Sequence, residues 1–171
     1  MSVTRFYAAL QARQMYEVQM NQVHFILFAS NIRAIGTRNL NGCTAVAIVS
    51  PFAAILAHIP PLPYPTTDPY VGLDNVQAKM GEVAFLYQQN RRFFPSDQSS
   101  LVVGAIFGGA VALSDHLTCI RGLVEQNGLT AELALYEVNG GGHLDAAKGT
   151  VFIDARHGSP SVYIEDQQVQ M

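Results

Sequence analysis

The sequence predicts a single α+β domain: a mixed or antiparallel sheet, or a β-sandwich, flanked by two or three helices. Three observations lead there. Two stretches, 74–94 and 114–126, have clear helical spacing and stand among short apolar runs of strand character. Strand candidates follow one another without a helix between each pair, which argues against a doubly wound parallel sheet. At 171 residues the chain fits one domain. A chain near that length hides about 70% of its unfolded surface without disulfides or metal.

Each element follows from its residues. Residues 4–19 place Phe6, Ala9, Leu10 and Met15 at helical spacing and read as an N-terminal helical extension occupying 1–20. The run 23–30 (VHFILFAS) is dense in residues that strands favour. Two further strands are expected at 44–49 (TAVAIV) and 53–58 (AAILAH), with Ser50-Pro51 as the turn of a hairpin between them. Residues 59–70 contain five prolines, so 59–73 reads as a proline-rich loop, long enough to wall a cleft. A helix over 74–94 repeats Val76, Met80, Val83, Ala84 and Tyr87, with Asp74 or Asn75 as its cap. The run 101–107 is a buried strand ending at Gly108-Gly109, and 114–126 is a helix capped by Ser114 or Asp115 and stopped by Asn127-Gly128. Short strands at 131–138, 150–154 and 161–165 complete the chain, and Gly140-Gly141-Gly142 makes a flexible turn.

Composition narrows the function. The net charge is −3, and Arg91-Arg92 is the only adjacent basic pair, so no nucleic-acid footprint is expected. No apolar run reaches the roughly 18 residues of a membrane span, and the first 15 residues lack the apolar centre of a secretory signal. A soluble, cytoplasmic protein is expected. Only 13% of residues are charged, against a usual ~25%, which suits a broad partner contact or an oligomer; oligomeric state itself is not legible. Cys43 and Cys119 are too few for a disulfide framework or a Cys-rich zinc site.

Cys43 stands where the turn Asn39-Leu40-Asn41-Gly42 meets an apolar strand. That is a useful place for a nucleophile: the strand fixes it, and Gly42 lets substrate approach and lets backbone N–H groups point at a developing oxyanion. If 44–49 and 53–58 pair as a hairpin, His58 lies beside Cys43, where an imidazole could take the thiol proton and later protonate a leaving amine. A cysteine in an apolar strand is also a common small core residue, and His58 could be a hydrogen-bonded strand end. The residues alone leave both readings open.

The order of motifs then resembles a known family. Thr37-Arg38-Asn39-Leu40-Asn41-Gly42-Cys43 is similar to the Thr-x-x-Leu-x-x-Cys element of the CheD family, the chemoreceptor glutamine deamidases. The strand after Cys43, the Ser50-Pro51 turn and 53–58 resemble that family's Cys-strand-turn-strand-Ala-His arrangement. Gly104–Ala110 resembles its Phe-Gly-Gly-Ala strand end, 113–128 its following helix, and 152–154 with 163–165 its last strand pair. Before the cysteine stands Asn41-Gly42 where the family usually has Gly-Ser. Leu40-Asn41-Gly42-Cys43 is closer there to the Leu-Ser-Gly-Cys of cytotoxic-necrotizing-factor-type toxin deamidases.

The resemblance implies a Cys-His-Thr triad in a protein-glutamine deamidase that works through a thioester, without cofactor or metal. Cys43 would be the nucleophile, His58 the base and Thr37 the group orienting the imidazole. The oxyanion would be held by the N–H of Cys43 and one from Asn41 or Gly42. The expected partner is a protein bearing an accessible glutamine. On the loop after His58, Tyr64 and Tyr70 are weak candidates for substrate contact, with surface anchoring the equal alternative. A catalytically silent binding module on the same framework, or an esterase or transglutaminase-like acyl transfer, are the alternatives. Elsewhere Cys119 and His24 read as structural and His116 as solvent-facing. His143, Asp145, Asp154 and His157 fit no tight metal-ligand spacing.

Overall fold

A computed structural model describes residues 3–95, 98–138 and 146–170. In chain order the elements are α1 (Arg5–Gln11), β1 (Tyr16–Glu17), β2 (Val23–Leu27), β3 (Ala34–Thr37), β4 (Thr44–Val49), β5 (Ala53–Ile59) and α2 (Val71–Gln89). They continue with a 3₁₀ turn at Arg91–Phe93, β6 (Ser99–Phe107), β7 (Ala110–Val111), α3 (Ser114–Gln126), β8 (Ala131–Glu137), β9 (Val151–Asp154), β10 (Ser161–Ile164) and β11 (Gln167–Val169).

The fold is α+β, with two mixed sheets packed face to face. One has the order β1-β3-β9-β10-β11; the other has the order β2-β5-β4-β6-β7, with β8 also paired to β6. β4 and β5 form the expected antiparallel hairpin, and every residue of both strands is buried. Strands covered on both faces read as continuous apolar runs, which is why Ala, Val, Ile and Leu fill them. Alternate residues part to the two faces. Ala45, Ala47, Val49, Ala54 and Leu56 meet Ile35, Val151, Ile153 and Val162 of the smaller sheet. Val46, Ile48, Ala53, Ile55 and Ala57 instead meet Val76, Met80 and Val83 of α2 and Leu117, Ile120 and Val124 of α3. α1 covers the outer face of the smaller sheet through Phe6 and Ala9 against Ala34 and Phe152. The layers therefore run α1, smaller sheet, larger sheet, then α2 with α3.

The structure corrects the sequence reading at several ends. The helix expected over 4–19 stops at Gln11, and Tyr16–Glu17 instead pair in parallel with Ile35–Gly36. Helical spacing lost there to burial, since Val18 is packed between the sheets. The N-terminal segment is thus part of the sandwich. α2 starts a turn earlier than its expected caps: Tyr70 is the N-cap, Asp68 accepts the Tyr70 N–H at 2.9 Å, and Asp74 lies in the first turn. A carboxylate suits that place beside the positive end of the helix. α3 begins after Leu113 in a left-handed conformation, so Ser114 and Asp115 are its first residues and do not cap it. The proline-rich stretch is irregular between Ile59 and Val71, as expected. The Gly140-Gly141-Gly142 turn, His143 and Asp145 lie outside the described residues. Among the described residues no helix is long and apolar enough to cross a membrane.

Candidate active site

Thr37, Cys43 and His58 come from three strand ends that the fold brings to one end of the sandwich. Register sets Ala45 opposite His58. Cys43 precedes Ala45 by two, so it shares their face as a diagonal neighbour of His58; diagonal pairs in a ladder stand about 7–8 Å apart, within reach of long side chains. The main chain of His58 is pinned by two hydrogen bonds, its N–H to Gln22 O at 3.0 Å and its carbonyl from Asn21 N–H at 2.7 Å. Thr37, from the opposing sheet, completes the group.

The hydrogen bonds of Thr37 fix the state of the imidazole. Its Oγ1 lies 2.7 Å from Val18 O and 2.7 Å from His58 Nδ1. A hydroxyl has one proton, and a carbonyl can only accept it, so Oγ1 donates to Val18 and accepts from Nδ1–H. The neutral ring then carries its lone pair on Nε2. That atom is the only buried side-chain nitrogen or oxygen without a hydrogen-bond partner among the described residues. His58 is 1% exposed, and burial lowers its pKa to about 4, so the ring is neutral at pH 7.

Cys43 is 6% exposed and its thiol makes no hydrogen bond to Nε2. Burial pushes its pKa up, and a hydrogen bond from the Asn41 backbone pulls the other way. The resting pair is therefore a neutral thiol beside a neutral imidazole, without a preformed ion pair.

The turn before Cys43 departs from expectation. Gly42 N–H is not free for an oxyanion: it donates to the Tyr136 hydroxyl at 2.9 Å, and that hydroxyl donates to Cys43 O at 2.6 Å. The Asn41 backbone favours the Cys43 thiolate. Pro61 covers Gly42 from the proline-rich segment, where a Cβ on Gly42 would lie 3.7 Å from its ring. Tyr64 and Tyr70 are 58% and 71% exposed, and neither hydroxyl hydrogen-bonds a described residue, so the structure does not draw them into this group.

No family model matches the sequence, and no curated protein matches it.

Two participants were not visible in the sequence. Val18 O, the acceptor that orients Thr37, lies within the stretch whose spacing predicts helix. Tyr136 is one aromatic in a strand candidate, and the hydrogen bonds of its hydroxyl to Gly42 and Cys43 show that it turns inward toward the Cys43 turn. The remaining candidates have structural surroundings. His24 stacks on Tyr16 with ring centroids 3.6 Å apart. His116, expected in solvent, packs against Gly72. Asp154 is held by Arg156 in a two-pronged ion pair at 2.9 and 3.0 Å. Cys119 is half-buried beside the helix-side core. Among the described residues no three metal-ligating side chains cluster.

Proposed function

We propose that this protein is a cysteine amidohydrolase that deamidates glutamine side chains of another protein. The observation that carries this reading is His58: a deeply buried imidazole whose Nδ1–H is fixed by Thr37 and whose basic Nε2 is left unpartnered on the face it shares with Cys43. A buried polar atom without a partner costs about 1–3 kcal/mol, a cost that structural histidines avoid.

The reaction follows from those groups. The Cys43 sulfur bonds to the carboxamide carbon while its proton passes to His58 Nε2. Thr37 stabilises the resulting imidazolium by accepting from Nδ1–H, the orienting role of the acid in better-known triads. The C–N bond then breaks as Nε2–H protonates the nitrogen, ammonia leaves, and a thioester remains. Water attacks the thioester, giving a proton to Nε2. The C–S bond breaks, the thiol is re-formed, and the glutamine has become glutamate.

Incubation of glutamine-bearing proteins in heavy-oxygen water tests the reading. One heavy oxygen should enter each new glutamate carboxylate, with label lost in Cys43→Ala. Absence of label, or label undiminished in that variant, sinks it. A catalytically silent binding module is favoured by the thiol's cover and missing hydrogen bond to His58, and it predicts no label at all. An acyl transfer to amines or ester hydrolysis through the same thioester would be exposed by adding a primary amine or an ester and following the products.

A further inference from the structure

We propose that Tyr136 is the positioning residue of the nucleophile turn, binding it across Cys43 so that the thiol keeps its direction and Asn41 its place at the sulfur. This rests on the cysteine-hydrolase reading above. The Tyr136 hydroxyl takes the N–H of Gly42 and gives its own proton to the carbonyl of Cys43, so one oxygen ties the peptide units on either side of the Gly42–Cys43 link. Gly42 has φ +100°, a conformation natural to glycine and the least restrained point of the turn. The tie supplies the restraint that glycine lacks.

The other end of the turn is held too. Leu40 N–H donates to Gly149 O at 3.0 Å, and Gly149 sits so close that a Cβ there would meet Leu40 O at 2.5 Å. Tyr136 is 3% exposed, on β8, in register with Ala105 of β6. A phenylalanine would fill the same space among the apolar residues between the sheets. What the hydroxyl adds is directed at two backbone groups of the nucleophile turn. Burying it elsewhere in that layer would cost a desolvated polar group for no partner.

The groups facing Cys43 are His58 from β5, Tyr136 from β8 and the Asn41 backbone of its own turn; Glu165, after β10, stands near Tyr136. Of these, the Asn41 hydrogen bond favours the thiolate, so a loosened turn should make the thiolate harder to form.

The test is Tyr136→Phe in a Cys119→Ser background, where Cys43 is the only thiol. Three quantities are followed: the pH profile of Cys43 alkylation by iodoacetamide, kcat and KM for glutamine deamidation, and the melting temperature. Positioning predicts an alkylation midpoint moved to higher pH and a kcat lowered about 10–100-fold with KM within about twofold. A lower melting temperature with unmoved alkylation profile and kcat overturns the proposal, because a merely structural hydroxyl would do that. If neither protein deamidates any substrate, the deamidase reading fails, and the alkylation profile still decides for Tyr136: a moved midpoint upholds its positioning role and an unmoved one ends it.

Discussion

The β4–β5 hairpin buries a polar residue at each end, and the two ends treat it in opposite ways. At the turn end Ser50 is 2% exposed and fully occupied: its Oγ donates to Phe93 O at 2.6 Å and accepts from the N–H groups of Phe52 and Ala53 at 3.1 Å each. At the open end His58 is 1% exposed and only half occupied, with Nδ1–H on Thr37 and Nε2 on nothing. The strands between are the same and the burial is the same. Ser50 uses its hydrogen bonds to close a turn onto the 3₁₀ segment. His58 holds one acceptor in reserve. Unsatisfied buried groups mark the places where a sequence departs from what stability alone would select, and such departures gather at functional sites.

The largest test of that contrast is His58→Gln. Removing the base should lower kcat for deamidation by about 10²–10⁴-fold, the usual share of general acid–base catalysis. Stability should respond to pH instead. The folded-state pKa of His58 is depressed to about 4, from an ordinary value of 6.5. Between those values the unfolded chain binds the proton and the folded protein does not. Stability is therefore full above pH 6.5 and falls with acidification toward pH 4, at about 1.4 kcal/mol per pH unit. Urea midpoints at pH 7 and pH 5 should lie closer together in the variant, by about 2 kcal/mol of stability. His24 and His116, also lowered by burial, leave a residual slope of the same sign in both proteins. Equal pH dependence in the two would remove His58 as a buried neutral base.

The same contrast explains what the sequence could and could not disclose. The hairpin was legible because Ala45–Val49 and Ala53–Ala57 are apolar throughout and Ser50-Pro51 interrupts them. Once the hairpin was drawn, Cys43 and His58 were placed on neighbouring strand ends, and the span of α3 was legible from its spacing and its Asn127-Gly128 stop, though not its cap. β1 and β3 were not legible. Tyr16–Glu17 has two residues, and Ala34–Thr37 is a four-residue strand with a glycine inside it. Strands that short owe their existence to the sheet they join, which local pattern does not record. The acceptor behind Thr37 was hidden for the same reason, since Val18 follows β1. Tyr136 was hidden because its role is a contact across 93 residues of sequence.

Ser50→Ala sharpens the comparison from the other end. The substitution leaves two N–H groups and the Phe93 carbonyl without their partner in a turn where Ala53 is buried and Phe52 is exposed. About 2–3 kcal/mol of stability should be lost, seen as a lower urea midpoint at pH 7, since an unpaired buried group costs about 1–3 kcal/mol. kcat and KM should hold within about twofold for the folded fraction, because the turn lies a full strand away from Cys43. A tenfold fall in kcat in the folded protein would break the division between an end that stabilises and an end that reacts.

Thr37 should give the smallest and most specific effect. Thr37→Val keeps the shape of the side chain and deletes the oxygen that accepts from Nδ1–H and donates to Val18. The neutral imidazole then has nothing to hold its proton on Nδ1. Part of the population shifts it to Nε2, the atom that must be basic. Outer partners of this kind are worth about 10–100-fold. The lower end is expected for kcat here, because a threonine supplies no charge to the imidazolium. Thr37→Ser, which restores the hydroxyl, should recover most of the loss. Nitrogen NMR of His58 separates tautomer control from simple packing: at pH 7 the wild type and Thr37→Ser should show a protonated Nδ1 and a bare Nε2, and Thr37→Val a mixture. A valine variant with the wild-type tautomer and wild-type kcat would mean that the sandwich alone orients the ring, and that Thr37 belongs with Ser50 among the residues that only stabilise.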